Sequence, residues 1–113
     1  MARTALAVQE ITRSGLTPVL TAANAGGHSI VNDDFTYIEV VNAGGSACTV
    51  TVQTPGTVDG LAVAERAVTV AATSGRKRIG PFPKHIYDQS DGTVYVDFST
   101  VTSVTVGAFK LGT

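Results

Sequence analysis

The sequence predicts an all-β domain, an antiparallel β-sandwich or small jelly-roll-like barrel of about seven to eight strands. Three observations carry this. Apolar residues alternate with polar ones in run after run, Gly, Asn, Asp and Pro fall between the runs at a spacing of about ten residues, and helix signals are weak by comparison. The apolar residues are mostly Val and Ala, and Trp is absent, which implies a thin, β-branched core.

The N-terminal segment ARTALAVQEITRSG, Ala2 to Gly15, has two readings. It is an ordinary first strand tied into a sheet, or an arm that orders on docking with Leu6, Val8 and Ile11 as anchors; residues 1–15 are thus set apart from a single domain over 16–113. TPVLTAANA, Thr17 to Ala25, contains helix formers together with Thr and Pro, and is too short for a helix without packing. FTYIEVV, Phe35 to Val41, is apolar on both parities and predicts a central strand covered on both faces, or one that borders a partner. Val50 and Val52 alternate with Thr49, Thr51 and Gln53. LAVAERAV, Leu61 to Val68, has room for one helical turn before the strand at Val68 and Val70, and the pattern resumes at Val94, Val96 and Phe98 and again at Val104 and Val106. Turn chemistry separates these runs: NAGG at Asn42 to Gly45, TPGTVDG at Thr54 to Gly60, TSG at Thr73 to Gly75 and SDG at Ser90 to Gly92. The AGG that follows Asn24 and again Asn42 reads as a pair of hairpin turns, too short to make an internal repeat.

Composition narrows the function. A chain of 113 residues is one domain, small enough that oligomerisation or docking adds materially to its stability. A net charge of −1 and a pI near 6.0 give no global field of the kind that drives binding to nucleic acid or anionic membranes. Cys48 is alone, so no intrachain disulfide or CxxC metal site forms, and its alternating surroundings predict a small buried hydrophobe. The N-terminus carries no apolar signal region, and no run approaches the ~18 apolar residues of a membrane span; the expectation is a soluble protein made in a cytoplasm.

No reactive constellation emerges. Asp33, Asp34, Asp59, Asp88 and Asp91 sit in turns where oxygens could gather a hard cation, yet there is no D-x-D-x-D-G run, and turn Asp and Asn ordinarily bond their own backbone. His28 and His85 are far apart and read as polar loop residues. No Ser or Cys stands in a G-x-S-x-G context, and neither AGG turn precedes a helix that could present its N-terminus to an anion. The expectation is a protein with no catalytic residues, metal or cofactor.

One stretch stands out: GRKRIGPFP, Gly75 to Pro83, with three consecutive cations closed by Pro-Phe-Pro. On an extended strand Arg76 and Arg78 share one face, while Lys77 and Ile79 share the other. Three readings compete: a basic edge strand that resists edge-to-edge aggregation, a docking strand for an acidic protein surface, and a nucleic-acid contact. The last lacks stacking platforms, since only Phe82 and Tyr87 flank the stripe.

The order VTVQTPGTVDGLAVAERAVTVAATSGRKRIGPFP followed by VYVDFS, covering about Val50 to Ser99, with a looser match in NDDFTYIEVVN, resembles small virion proteins of tailed bacteriophages of the capsid decoration (cement) or minor capsid type. Its motifs differ from those of the lambda-type decoration protein. The resemblance implies a non-enzymatic virion protein, made in the host cytoplasm, that stabilises a shell by binding the major capsid protein across neighbouring subunits. Leu6, Val8, Ile11, Arg76, Arg78 and Phe82 are the candidate docking residues. Trimers would suit the local threefold axes of a capsid, and monomers a hexamer centre; no nucleic acid or membrane partner is expected. The alternatives are a tail or head-tail connector component and, from another class, a carbohydrate-binding sandwich using Tyr37, Tyr87 or Tyr95.

Overall fold

The computed structural model describes residues 3–33 and 35–111. In chain order the strands are β1 (Thr4–Ala5), β2 (Val8–Ile11), β3 (Thr21–Ala22), β4 (His28–Val31), β5 (Thr36–Asn42), β6 (Cys48–Val52), β7 (Thr57–Val58), β8 (Leu61–Ala62), β9 (Arg66–Val70) and β10 (Gly75–Ile79). A single helical turn, α1 (Lys84–Tyr87), then precedes β11 (Thr93–Phe98) and β12 (Val104–Leu111). Eight of the described strands have four residues or more, in line with the number expected from the alternation.

Two sheets form the body of an all-β, sandwich-like fold. The first runs β1-β4-β11-β6-β9, and the second β10-β5-β12-β2 with β3 also on β12. Alternation places one parity of each strand between them: Ile30, Ile38, Val40, Val50, Val52, Val70, Val94, Val96, Val104 and Val106 are buried in one cluster. Each valine buried this way contributes roughly 1.5 kcal/mol or more over an exposed one. Cys48 belongs to the same core, its Sγ 3.3 Å from the Thr100 carbonyl oxygen.

The interior strands pair antiparallel, as expected, but the two N-terminal strands pair in parallel, β1 with β4 and β2 with β12. A parallel neighbour needs a long connection rather than a hairpin, and the chain between β1 and β4 supplies one. Residues 3–15 thus contribute one short strand to each sheet.

The turns lie where the sequence put them, but most are not hairpins. Asn24–Gly27 joins β3 of the second sheet to β4 of the first, Asn42–Gly45 joins β5 to β6, and Thr73–Gly75 joins β9 to β10; each carries the chain from one layer to the other. The same residues that reverse a hairpin serve a crossover between layers. A true hairpin forms at β7 and β8, where Asp59 and Gly60 have φ of 51° and 77°, the twist that a two-residue turn between strands requires. The two segments with helix-forming composition are extended: Thr21–Ala22 is β3, and Leu61–Val68 contributes to β8 and β9. Among the described residues only Lys84–Tyr87 makes a helical turn, directly after Pro83, whose fixed φ suits a helix start. Among the described residues no helix is long and apolar enough to cross a membrane.

His28 is not a loop residue. It is buried at the start of β4, its Nδ1 lies 3.2 Å from the Thr4 carbonyl oxygen, and its Nε2 accepts the Asn24 backbone N–H at 3.0 Å. An acceptor at Nε2 assigns the proton to Nδ1, so the neutral imidazole ties β1 to the turn before β4. Arg3 adds to the same tie: Nη1 is 2.9 Å from Asp97 Oδ1, and the guanidinium lies 4.1 Å from the centre of the Tyr95 ring. Burial is the main force that pushes the His28 pKa below its usual value; the Arg3 charge adds to it, and the hydrogen bond to Thr4 opposes it. Because the folded value lies below the unfolded one, the stabilisation is full above about pH 6.5 and is lost as pH falls through the folded value. The melting temperature should therefore fall between pH 7 and pH 5, and His28→Gln should flatten that slope. Equal slopes in the two proteins would show that His28 plays no part.

Candidate docking face

The outer face of the second sheet departs from the polar surface expected of a solvated sheet. With Ile38, Val40, Val104, Val106 and Ala108 committed to the core, the opposite parity presents Tyr37, Glu39 and Val41 from β5, and Thr105, Gly107, Phe109 and Leu111 from β12. Phe109 and Tyr37 are cross-strand partners with ring centres 5.7 Å apart. Half of this face is covered by the chain between β2 and β3. The Gln9 side chain clamps that segment, donating from Nε2 to the Val19 carbonyl at 2.7 Å and accepting the Val19 N–H at 2.9 Å. Gly107 makes the close approach possible, because a Cβ there would stand 2.7 Å from a Leu20 methyl and 2.8 Å from the Val19 carbonyl oxygen. A small cleft of about 150 Å³ remains between Leu16, Pro18, Ile11, Phe109 and Tyr37.

The other half is open. A groove of about 360 Å³ is lined by Phe35, Tyr37, Arg78, Ile79, Gly80, Pro81 and Leu111. Phe35 is 69% exposed and Leu111 65%, with Val19 of the covering segment at 58%. Gly80, at φ 149°, allows the Gly80–Pro81 corner to lie against β5, since a Cβ would fall 2.6 Å from that of Tyr37.

Beside the groove, the basic stripe meets a buried acid. β10 pairs with β5 so that Arg78 lies opposite Glu39 and Arg76 opposite Val41, and both arginines reach the same carboxylate. Arg78 Nε is 3.2 Å from Glu39 Oε1, and Arg76 pairs with Oε2. The Glu39 side chain is 4% exposed, whereas those of Arg76 and Arg78 are 57% and 68% exposed. The arginines lie over the carboxylate and keep much of their own surface in water. β10 is the terminal strand of its sheet, which makes the stripe a basic edge.

The six candidate docking residues separate. Ile11 and Arg78 line the same small cleft on the outer face of the second sheet, and Arg76 joins Arg78 over Glu39. Leu6 and Val8 pack against the main core, and Phe82, 1% exposed, is a core residue whose ring is tilted against that of Tyr87 at 5.3 Å between centres. Phe82 is drawn inward because the chain turns at Gly80–Pro81 and leads into α1; Leu6 lies where the N-terminal segment changes sheets, and Val8 has the inward parity of β2. The groove residues Phe35, Tyr37, Pro81 and Leu111 are not among the docking candidates, although the apolar run Phe35 to Val41 suggests a strand that borders a partner. Their signal was the lone Glu39 in an apolar run, on the same parity as Phe35 and Tyr37. Of the acidic turn residues, Asp34 lies outside the described residues. Among the described residues no group of three His, Cys, Asp or Glu side chains is placed to share a metal ion.

Compared with known proteins, the chain matches no family model, no curated protein and no solved structure.

Proposed function

We propose that this chain is a non-enzymatic virion protein that docks on the outer surface of a tailed-phage capsid, bridges neighbouring capsid subunits and stabilises the shell. The observation that carries the docking part is the open half of the second sheet, where Phe35, Tyr37, Pro81 and Leu111 line an apolar groove beside two arginines. Contiguous apolar surface with a charged margin is the usual composition of a protein interface. The assignment to a capsid rests on the sequence resemblance over Val50 to Ser99. Many copies on one lattice gain effective concentration, so individually weak contacts together raise the cost of opening the shell.

The carbohydrate-binding alternative loses support from the placement of its tyrosines. Tyr37 belongs to the second sheet, Tyr95 lies in the first under Arg3, and Tyr87 packs on Phe82, so the three form no planar row.

Purified protein mixed with undecorated capsids should co-sediment to saturation, at a copy number that matches one class of lattice site. Sizing of the free protein separates a trimer suited to threefold axes from a monomer. Capsids that lack the protein should rupture at lower temperature. Recovery of the protein in purified tails, with none on shells, would move the assignment to a tail or connector component.

A further inference from the structure

We infer that the open edge of β10 is a strand-addition site for an extended acidic segment of a partner protein, anchored by an apolar side chain in the adjoining groove. The inference deepens the docking reading and rests on it. Three independent features converge at this edge.

The first is backbone. β10 pairs with β5 on one side and ends its sheet on the other, and among the described residues no further backbone segment bonds to Arg76–Ile79. An edge with free N–H and C=O groups is a template for one more strand. Pro81 and Pro83 follow at once and lack backbone donors, which confines the added pairing to the length of β10.

The second is charge. Arg76, Lys77 and Arg78 are all exposed, and Glu39 is the one acid described within ion-pair distance of any of them. Three cations against one buried carboxylate leave the edge positive. The Glu39 carboxylate also holds the Arg76 and Arg78 side chains in place, while among the described residues the Nη groups of Arg78 make no hydrogen bond. Pre-positioned guanidinium donors suit a second carboxylate. A second copy of this chain is the wrong occupant, because it would set cations against cations. A segment with Asp or Glu at alternate positions places its carboxylates over Arg76 and Arg78.

The third is the groove. It adjoins the C-terminal end of β10 on the face that carries the two arginines, and Phe35, Tyr37, Pro81 and Leu111 offer an apolar seat for one side chain of the same segment. Main-chain pairing supplies affinity, while the carboxylates and the anchor supply selectivity.

The test uses the full chain, isotope-labelled for NMR, and two synthetic peptides of equal length: a Glu/Val peptide with Glu at two alternate positions and Val at the next position of the same parity, and a Lys/Val peptide with Lys in place of both Glu residues. A short single-stranded oligonucleotide is a third probe. The Glu/Val peptide should shift the amides of β10 and the resonances of Phe35 and Leu111 saturably, and the other two probes should not. Leu111→Glu places a carboxylate in the groove without touching the Glu39 cluster; it should weaken the Glu/Val peptide about tenfold, with no change in melting temperature. Equal binding of both peptides, preference for the oligonucleotide, shifts that map to the first sheet, or an unchanged affinity in the Leu111 variant would overturn the inference. Shells that bind while the Glu/Val peptide fails would leave the docking function standing and remove this mode. A peptide that binds β10 while shells fail would keep the acidic-strand site and remove the capsid assignment.

Discussion

Replacing both Arg76 and Arg78 with glutamine should destabilise the domain by about 3 kcal/mol or more, and adding Glu39→Gln should restore most of that loss. The asymmetry of exposure dictates this. Glu39 is almost fully removed from water, and its charge is acceptable there because two guanidiniums lie over it. Without them a carboxylate is left buried and uncompensated, at several kcal/mol. The reverse deletion is far milder: in Glu39→Gln the arginines, more than half exposed, rehydrate, and the expected loss is about 1 kcal/mol. Chemical denaturation of the single, double and triple variants measures all of these terms. A double variant as stable as the wild type would mean that Glu39 is hydrated in solution. Charge reversal of the arginines would confound a lost interaction with a lost fold, whereas Leu111 lines the groove, is exposed and stands apart from Glu39.

Asn42→Ala should cost about 2–4 kcal/mol, more than any surface polar substitution in the chain. Asn42 is fully buried at the end of β5, where the chain passes from the second sheet to the first. Its Nδ2 donates to the Ser46 carbonyl at 2.9 Å and the Val70 carbonyl at 3.3 Å, and its Oδ1 accepts the Gly44 N–H at 2.9 Å. Truncation removes a hydrogen bond from each of the three backbone groups, and among the described residues no other side chain bonds to them. Asn42→Asp should fare little better, because a carboxylate keeps the acceptor but loses both donated bonds. The urea midpoint should drop while the slope of the transition stays constant. A loss below about 1 kcal/mol would show that water substitutes for the amide there.

The β character of the chain and the inward parity of β6, β9, β11 and β12 were legible in the sequence because a strand buried on one face writes that face into every second residue; β5, apolar on both parities, hid which face turns inward. The same rule foresaw that Arg76 and Arg78 share a face. The layer to which each strand belongs was not legible: the Asn-Ala-Gly-Gly turns at Asn24 and Asn42 have the same chemistry whether the next strand pairs alongside or crosses to the other sheet. Phe82 illustrates a second limit. It flanks the basic stripe in sequence, but the turn at Gly80–Pro81 sends it into the core, and only tertiary packing decides that. The groove was hidden for a related reason, since Phe35, Tyr37, Pro81 and Leu111 come from three separated segments. Glu39 was the overlooked pointer: an acid within an apolar strand requires cations, and the two arginines at alternate positions were the chain's obvious supply.

The central claim, that the open face of the second sheet docks the protein, is tested most directly by co-sedimentation of the Phe35→Glu, Leu111→Glu double variant with undecorated capsids beside the wild type. Both residues are exposed, so the melting temperature should hold within a few degrees. The account predicts saturable binding of the wild type and at least about a hundredfold weaker binding of the variant, in keeping with two charges forced into an apolar contact. Full binding by a stably folded variant would contradict it and place the docking surface elsewhere on the domain.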